Sequence, residues 1–300
     1  MKRTSRKTGT KDGKTKNVSV RVLITGLLVG MIAACFLLAG RELYEYAKST
    51  LSYMLMDHEL ITEADPEKST RDEEAGEEGA STEEAPEPEE EIWWPELEID
   101  YEGYAAINEN FAAILYFPLF DLRYPVALSQ NNADYLTRNF DGSWNSSGCI
   151  FMDYQNQKNF RDRNTWLYGH NMADGSMFGS LKRLVREPQR CEGDPKIYVY
   201  TPDRILEYQL YVVELAPANE KIRGIYTDKQ YDEYIERITG RASFVDTDLD
   251  TGDRPDLLTL YTCWGTDYQY KLLVHGVQAR VHEENPQKLY PVREKQKCHP

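Results

Sequence analysis

The chain has 300 residues, 41% of them hydrophobic, and a formal net charge of -15, which is room for one large domain or two small ones around a core. That charge is local, because residues 63–91 carry fourteen acids against Lys68 and Arg71, whereas residues 1–21 carry eight Lys or Arg against Asp12. The low pI therefore describes one tract and is excluded as a guide to the partners of the folded part, for which no nucleic acid is expected.

After the basic tail of residues 1–21 comes VLITGLLVGMIAACFLLAG, residues 22–40, without a single charge. As a helix it spans roughly 28 Å, close to the hydrocarbon thickness of a bilayer. A cleaved signal peptide has a shorter apolar stretch ending at a small-residue site, whereas this run continues into RELYEYAKSTLSYMLM, so a retained anchor is favoured. The basic residues ahead of it place the N-terminus in the cytoplasm and everything after Arg41 outside the cell. Residues 41–60 read as a helix leaving the membrane, with Leu43, Tyr46, Ala47, Leu51, Met54 and Leu55 at helical spacing. Residues 61–91, rich in Glu, Pro, Ser and Thr, have too little apolar surface to offset ordering and are expected to form a disordered acidic linker.

The folded domain is expected over residues 92–300. Eight strand-like segments follow one another: FAAILYFPLF, DLRYPVAL, GCIFMDY, NTWLYGH, KIYVYTP, RILEYQLYVVEL, DLLTLYTCW and YKLLVHGVQARV, rich in Tyr, Val, Ile and Phe and bounded by turn residues. Two helices are expected. Asp174–Arg186 sets Met177, Leu181, Leu184 and Val185 on one face, and Thr227–Arg241 opens with Thr227 and Gln230 as a capping box. Many strands with few helices predict a mainly β domain with helices, barrel-like.

Five histidines and five cysteines are the reactive inventory. His58, His275, His282 and His299 fit solvated or packed imidazoles. His170 follows the strand NTWLY and opens a loop, where scaffolds present functional side chains; a structural imidazole fits that position as well. Cys35 lies in the apolar run. Cys149, Cys191, Cys263 and Cys298 suffice for two disulfides, but a domain of this size does not need them. Cys149 reads as core, and Cys191 and Cys298 have no arguable partner. Cys263 ends the strand LLTLYT, with Lys271 just past the following loop, a placement suited to a thiolate beside a cation. Acyl transfer by cysteine needs a thiolate, an imidazole that hands a proton to the leaving amine, and a donor for the oxyanion. Cys263, His170 and Lys271 can supply the three. No metal-ligand cluster or Gly-rich phosphate loop is visible, so no metal and no cofactor are expected.

TWLYGHNMADGSMFGSL and LLTLYTC resemble the histidine and cysteine motifs of class B sortases, and INENFAAILYFPLFDLRYPV, NNADYLTRNFDGSWNSSGCIFMDYQN and KLLVHGVQARV are similar to that family's successive strand segments in the same order. The likeness covers about residues 101–281. It implies a closed eight-stranded barrel and a two-step transpeptidation: the cysteine cleaves a C-terminal sorting signal after Thr, forms a thioester, and passes the acyl group to an amine of a cell-wall precursor or pilin. Its partners would be surface proteins carrying the sorting signal. By position Cys263 matches the nucleophile, His170 the general acid/base, and Tyr168 a groove-lining residue; Tyr261 and Thr262, beside the cysteine, are expected to contact substrate. Two positions depart from the family pattern. Lys271 stands where the family has an essential arginine, and Tyr261 stands where Ser is common. Arg280 lies nine residues further along the same strand, roughly 30 Å away, too far to replace that arginine. The alternatives are a thiol hydrolase of papain type, which places Cys before His and so has the opposite order, and a degenerate surface module that binds sorting signals without turning them over.

Overall fold

The computed structural model describes residues 12–63, 92–219, 224–265 and 269–283. It divides into two compact units, Met1–Lys48 and Ser49–Pro300. The first unit consists of helix α1, Asp12–Leu60, as far as Lys48. α1 is long and apolar enough from Leu23 onward to cross a membrane, and Leu27, Phe36 and Leu37 on it are exposed.

The second unit opens with the last turns of α1, which pack against the rest of that unit. Ser49 donates to Asn139 Oδ1 at 2.7 Å, and Tyr53 OH accepts from the Phe140 amide at 3.2 Å. Arg123 grips the Asp57 carboxylate through two nitrogens, each at 2.7 Å, the forked geometry that makes such pairs strong. The chain then enters β1 (Ile61–Glu63), which pairs antiparallel with β2 (Leu97–Ile99), matching Ile61 with Ile99 and Glu63 with Leu97. The expected linker boundary at residue 61 is therefore corrected. Ile61 is buried with Leu97 and Ile99 in one apolar cluster, and that burial stabilises a strand at the edge of an otherwise polar tract. The acidic residues 64–91, like the basic tail of residues 1–11, Cys298 and His299, lie outside the described residues.

Helix α2 (Tyr101–Ile107) follows, capped by the Asp100 side chain on the Gly103 amide, and was not anticipated. The eight strand-like segments each hold one barrel strand: β3 (Phe111–Phe117), β4 (Leu122–Leu128), β5 (Ile150–Met152), β6 (Asn164–Tyr168), β7 (Lys196–Tyr200), β8 (Ile205–Pro217), β10 (Leu257–Trp264) and β11 (Tyr270–His282). Their order around the sheet is β11-β10-β6-β5-β4-β3-β7-β8, and β11 pairs back onto β8 to close the ring. A ninth short strand, β9 (Ala242–Val245), pairs with β8 at Val212–Glu214, beyond the stretch that β7 occupies. Strand alternation sends Leu115, Ile150, Leu167, Val199, Leu258 and Val274 into one buried cluster, each such side chain contributing roughly 1.5–3 kcal/mol.

Of the helix expected over Asp174–Arg186, only α3 (Lys182–Arg186) is α-helical, preceded by a 3-10 turn at Gly179–Leu181. Gly175 and Met177 sit at φ +91° and +50°, left-handed conformations that a continuous helix does not admit. The second expected helix is present as α4 (Asp228–Thr239), with both halves of the Thr227–Gln230 capping box formed. It covers the outer face of the barrel through Tyr231, Tyr234 and Ile238.

Candidate active site

Strand β10 carries the thiol. Its even-numbered side chains, Leu258, Leu260 and Trp264, belong to the barrel interior, whereas Tyr261 belongs to the apolar cluster on the outer face. By the period of two, Cys263 shares the face of Tyr261. Cys263 is half-buried and free. In the antiparallel ladder with β11 it stands directly opposite Lys271, so their side chains project from the same face. Lys271 Nζ reaches Cys263 Sγ at 3.2 Å and lies 5.8 Å from the centre of the Tyr261 ring.

Strand β6 runs parallel to β10 with Tyr168 opposite Tyr261. Their rings meet edge to face, 5.1 Å between centroids. The ladder ends there, with the Gly169 amide donating to the Tyr261 carbonyl at 3.2 Å; His170 and Cys263 each follow two residues beyond these tyrosines. Between Tyr168 and His170 the chain passes close to the core: a Cβ on Gly169 would stand 2.5 Å from Ile150 Cδ1 and 2.8 Å from Phe178 Cδ2, so any side chain there would push these two neighbours aside. The loop then folds on itself. The His170 carbonyl accepts from the Phe178 amide at 3.0 Å, and Ser176 is turned back by two hydrogen bonds to Asp174 Oδ1.

The half-buried His170 ring has its Nε2 2.8 Å from the carbonyl oxygen of Leu136. A carbonyl only accepts, so Nε2 carries hydrogen there and Nδ1 is the nitrogen left to exchange a proton. Asn171 donates its side-chain amide to the carbonyl of Cys263 at 2.9 Å. Tyr168 OH donates to Asp153 Oδ2 at 2.6 Å, and Asn132 donates to the same oxygen at 2.7 Å. Burial first, then the bond to Asp153, holds the Tyr168 phenol well above its ordinary range. Burial, with the neighbouring Cys263 second, pushes the Tyr261 phenol up to about 12. Both phenols are neutral at physiological pH. On the far side Arg186 stands 5.8 Å from the Trp264 ring centre.

Of the expected site residues, the structure brings Tyr168, Tyr261, Cys263 and Lys271 onto one face; His170 opens the loop that Asn171 ties to the Cys263 carbonyl, and its ring is directed to the Leu136 carbonyl. Thr262 is corrected. It pairs with Leu272 of the interior face, is 2% exposed, and its hydroxyl has no hydrogen-bond partner, because the residue between two outward-facing neighbours on a strand points inward. Arg280 lies over the Trp93 ring at 5.7 Å and takes no part. Cys149 and Cys191 are free and buried; burial pushes the Cys191 thiol up to about 11. His275 is packed between strands rather than solvated. Asn171 and Asp153 were missed, although each sits in a segment already singled out, one directly after His170 and the other at the end of IFM. Among the described residues no group of three or more His, Cys, Asp or Glu is placed to hold a metal ion.

A family model described as the sortase domain matches residues 115–279. The chain is 28% identical to sortase B of Staphylococcus aureus over 54% of its own length and 67% of the relative's. It is likewise 28% identical to sortase B of Listeria monocytogenes, over 48% of this chain and 58% of that one, so it spans less than two thirds of the second relative. The crystal structure of a Bacillus anthracis protein described as similar to sortase B superimposes with a TM-score of 0.54 at 30% identity, covering 60% of this chain and 83% of the other.

Proposed function

The chain belongs to the sortase family, among its class B members, and from that premise we propose that it is a membrane-anchored cysteine transpeptidase acting outside the cell. Cys263 Sγ attacks the carbonyl of a peptide bond in a sorting signal, and Lys271 donates a charge-assisted hydrogen bond to the oxygen as it becomes negative. His170, through Nδ1, takes the Cys263 thiol proton and gives it to the departing amine as the C–N bond breaks, leaving a thioester on Cys263. An acceptor amine, from a cell-wall precursor or a pilin, then attacks the thioester; His170 takes its proton and the sulfur leaves. Tyr168 and Tyr261 line the groove that holds the signal. Residues 22–40 hold the protein in the membrane with the basic N-terminus inside.

The observation that carries this reading is the 3.2 Å contact of Lys271 Nζ with Cys263 Sγ on directly paired strands. The test incubates the protein with a panel of sorting-signal peptides and follows it by mass spectrometry. An acyl adduct confined to the Cys263 peptide, absent in Cys263→Ala, is the expected result. Peptide binding without an adduct would overturn it in favour of a non-catalytic sorting-signal module.

A further inference from the structure

The two positions at which the sequence departs from the class B pattern, Tyr261 and Lys271, are in contact with each other. A lysine ammonium is a compact, strongly hydrated charge on a four-carbon stem, with many rotamers open to it and no planar fork to fix its direction. Something must confine it if it is to stay beside a thiol. Lys271 Nζ lies 5.8 Å from the centre of the Tyr261 ring and 3.2 Å from Cys263 Sγ. The π-face of a tyrosine attracts such a cation, and more strongly where water is excluded.

The ring is itself held. It meets Tyr168 at 5.1 Å and Trp166 at 6.3 Å, and Trp166 is almost fully buried. Tyr168 is fixed in turn by its hydroxyl on Asp153, and Asp153 by Asn132. A chain of packed and hydrogen-bonded groups thus runs from the loop at Asn132 to the ammonium. Tyr261 also stands two residues from Cys263 on the same strand face, so its ring and the thiol present themselves to Lys271 together.

We propose that Tyr261 is a positioning residue whose ring holds the Lys271 ammonium against Cys263 Sγ and thereby sets the reactivity of that thiol. This rests on the reading of Cys263 as the nucleophile and adds to it a residue that acts through another. A cation held at the sulfur stabilises the negative charge that the attacking sulfur carries; a cation released to solvent does so less.

The test measures alkylation of Cys263 by iodoacetamide at neutral pH in the full chain held in detergent micelles, read from the Cys263 peptide by mass spectrometry. Tyr261→Leu and Tyr261→Ser, which remove the ring, are expected to slow alkylation by roughly three- to thirtyfold, the range of a cation–π contact. Tyr261→Phe, which keeps the ring, restores the parent rate to within about twofold. In a Lys271→Met background, Tyr261→Leu produces no further slowing, because there is no cation left to hold. Equal slowing by Tyr261→Leu with and without Lys271 would overturn the proposal, as would a Phe variant as slow as Leu. Should Leu compromise folding, as a fall in melting temperature would show, the Ser variant carries the same comparison. The peptide-adduct assay keeps the two ideas separate: a parent that forms the acyl adduct but shows no Tyr261–Lys271 coupling sinks only the positioning role, and a parent that shows the coupling but no adduct sinks the nucleophile.

Discussion

Asn171 donates from its side-chain amide to the carbonyl oxygen of Cys263 at 2.9 Å, so the loop that begins at His170 is fastened to the strand end that carries the thiol. The β6–β10 ladder ends at the Tyr168–Tyr261 pair, so His170 lies past the point where ladder pairing fixes the chain. The Asn171 amide extends that fixation by one more link. Its Oδ1 is buried without a partner.

Asn171→Ala is expected to lower kcat for peptide cleavage about tenfold with little change in KM, since it loosens the placement of His170, the proposed acid, relative to Cys263, the proposed nucleophile, rather than peptide binding. The lost bond should also lower stability by about 1 kcal/mol, or roughly 2–4 °C in Tm. Steady-state kinetics and a thermal melt check both. A variant with an unchanged kcat would show that the clamp has no part in catalysis.

Lys271→Ala should slow kcat by about a hundredfold to a thousandfold, because an oxyanion donor acts mainly in the transition state. Lys271→Arg should retain or exceed the parent rate, as a guanidinium offers two donors in a fixed plane. If Lys271 were only a strand-end charge, both variants would stay within about threefold of the parent. Comparing the three enzymes on one peptide decides between these outcomes.

Thr262→Val is expected to leave KM within about twofold and to raise stability by about 1 kcal/mol, seen as a Tm higher by a few degrees. The Thr262 hydroxyl is buried in the barrel without a partner, and a group in that state costs free energy that a methyl does not. A KM changed by tenfold would return Thr262 to the substrate groove.

His275 gives the fold a pH dependence of known sign. The imidazole is fully buried between Thr259 Oγ1 at 3.0 Å and Tyr234 OH at 3.4 Å on Nδ1 and Glu214 Oε1 at 3.3 Å on Nε2, while Arg241 neutralises Glu214 at 3.0 Å. Burial, outweighing the opposite pull of Glu214, holds the imidazole below its ordinary value. The folded state therefore resists a proton that the unfolded chain takes up near pH 6.5. The contribution is complete above that pH and is lost as pH falls below it, by at most about 1.4 kcal/mol per pH unit. Melting curves between pH 7.5 and 5 should fall less steeply for His275→Gln than for the parent; parallel curves would refute the assignment.

Much of the barrel was legible because the apolar residues of its segments alternate or run together, even in the three-residue β5, which lies in the apolar run CIFM, so each of the eight segments could be read on its own. The Thr227–Gln230 capping box was legible for the same reason, as a local pattern four residues long. What could not be read depends on pairing between distant segments. β1, β2 and β9 have three or four residues each, too few for any period to show. Alternation predicts that Tyr261 and Thr262 face opposite ways, but only the closed ring says which way is inward. The contact of Lys271 with Tyr261 follows from the register that sets Lys271 opposite Cys263, which the length of the intervening loop does not determine.

The pairing of Ile61 with Ile99 and of Glu63 with Leu97 makes residues 64–96 a detour whose two ends meet at one place on the domain. The route from α1 into the barrel is then set by a three-residue strand, and the number of residues in the detour does not enter it. Enlarging a closed segment is cheap, roughly 0.6 kcal/mol for each doubling of its length. Splicing a fluorescent domain or affinity tag into residues 64–91, or cutting the tract out, is expected to change Tm by less than about 2 °C as long as Trp93 and Trp94, which pack on Arg280 and His282, are kept; a larger fall would show that the tract packs on the domain. On that basis the length and charge of the acidic tract can be changed without moving the β1–β2 pairing.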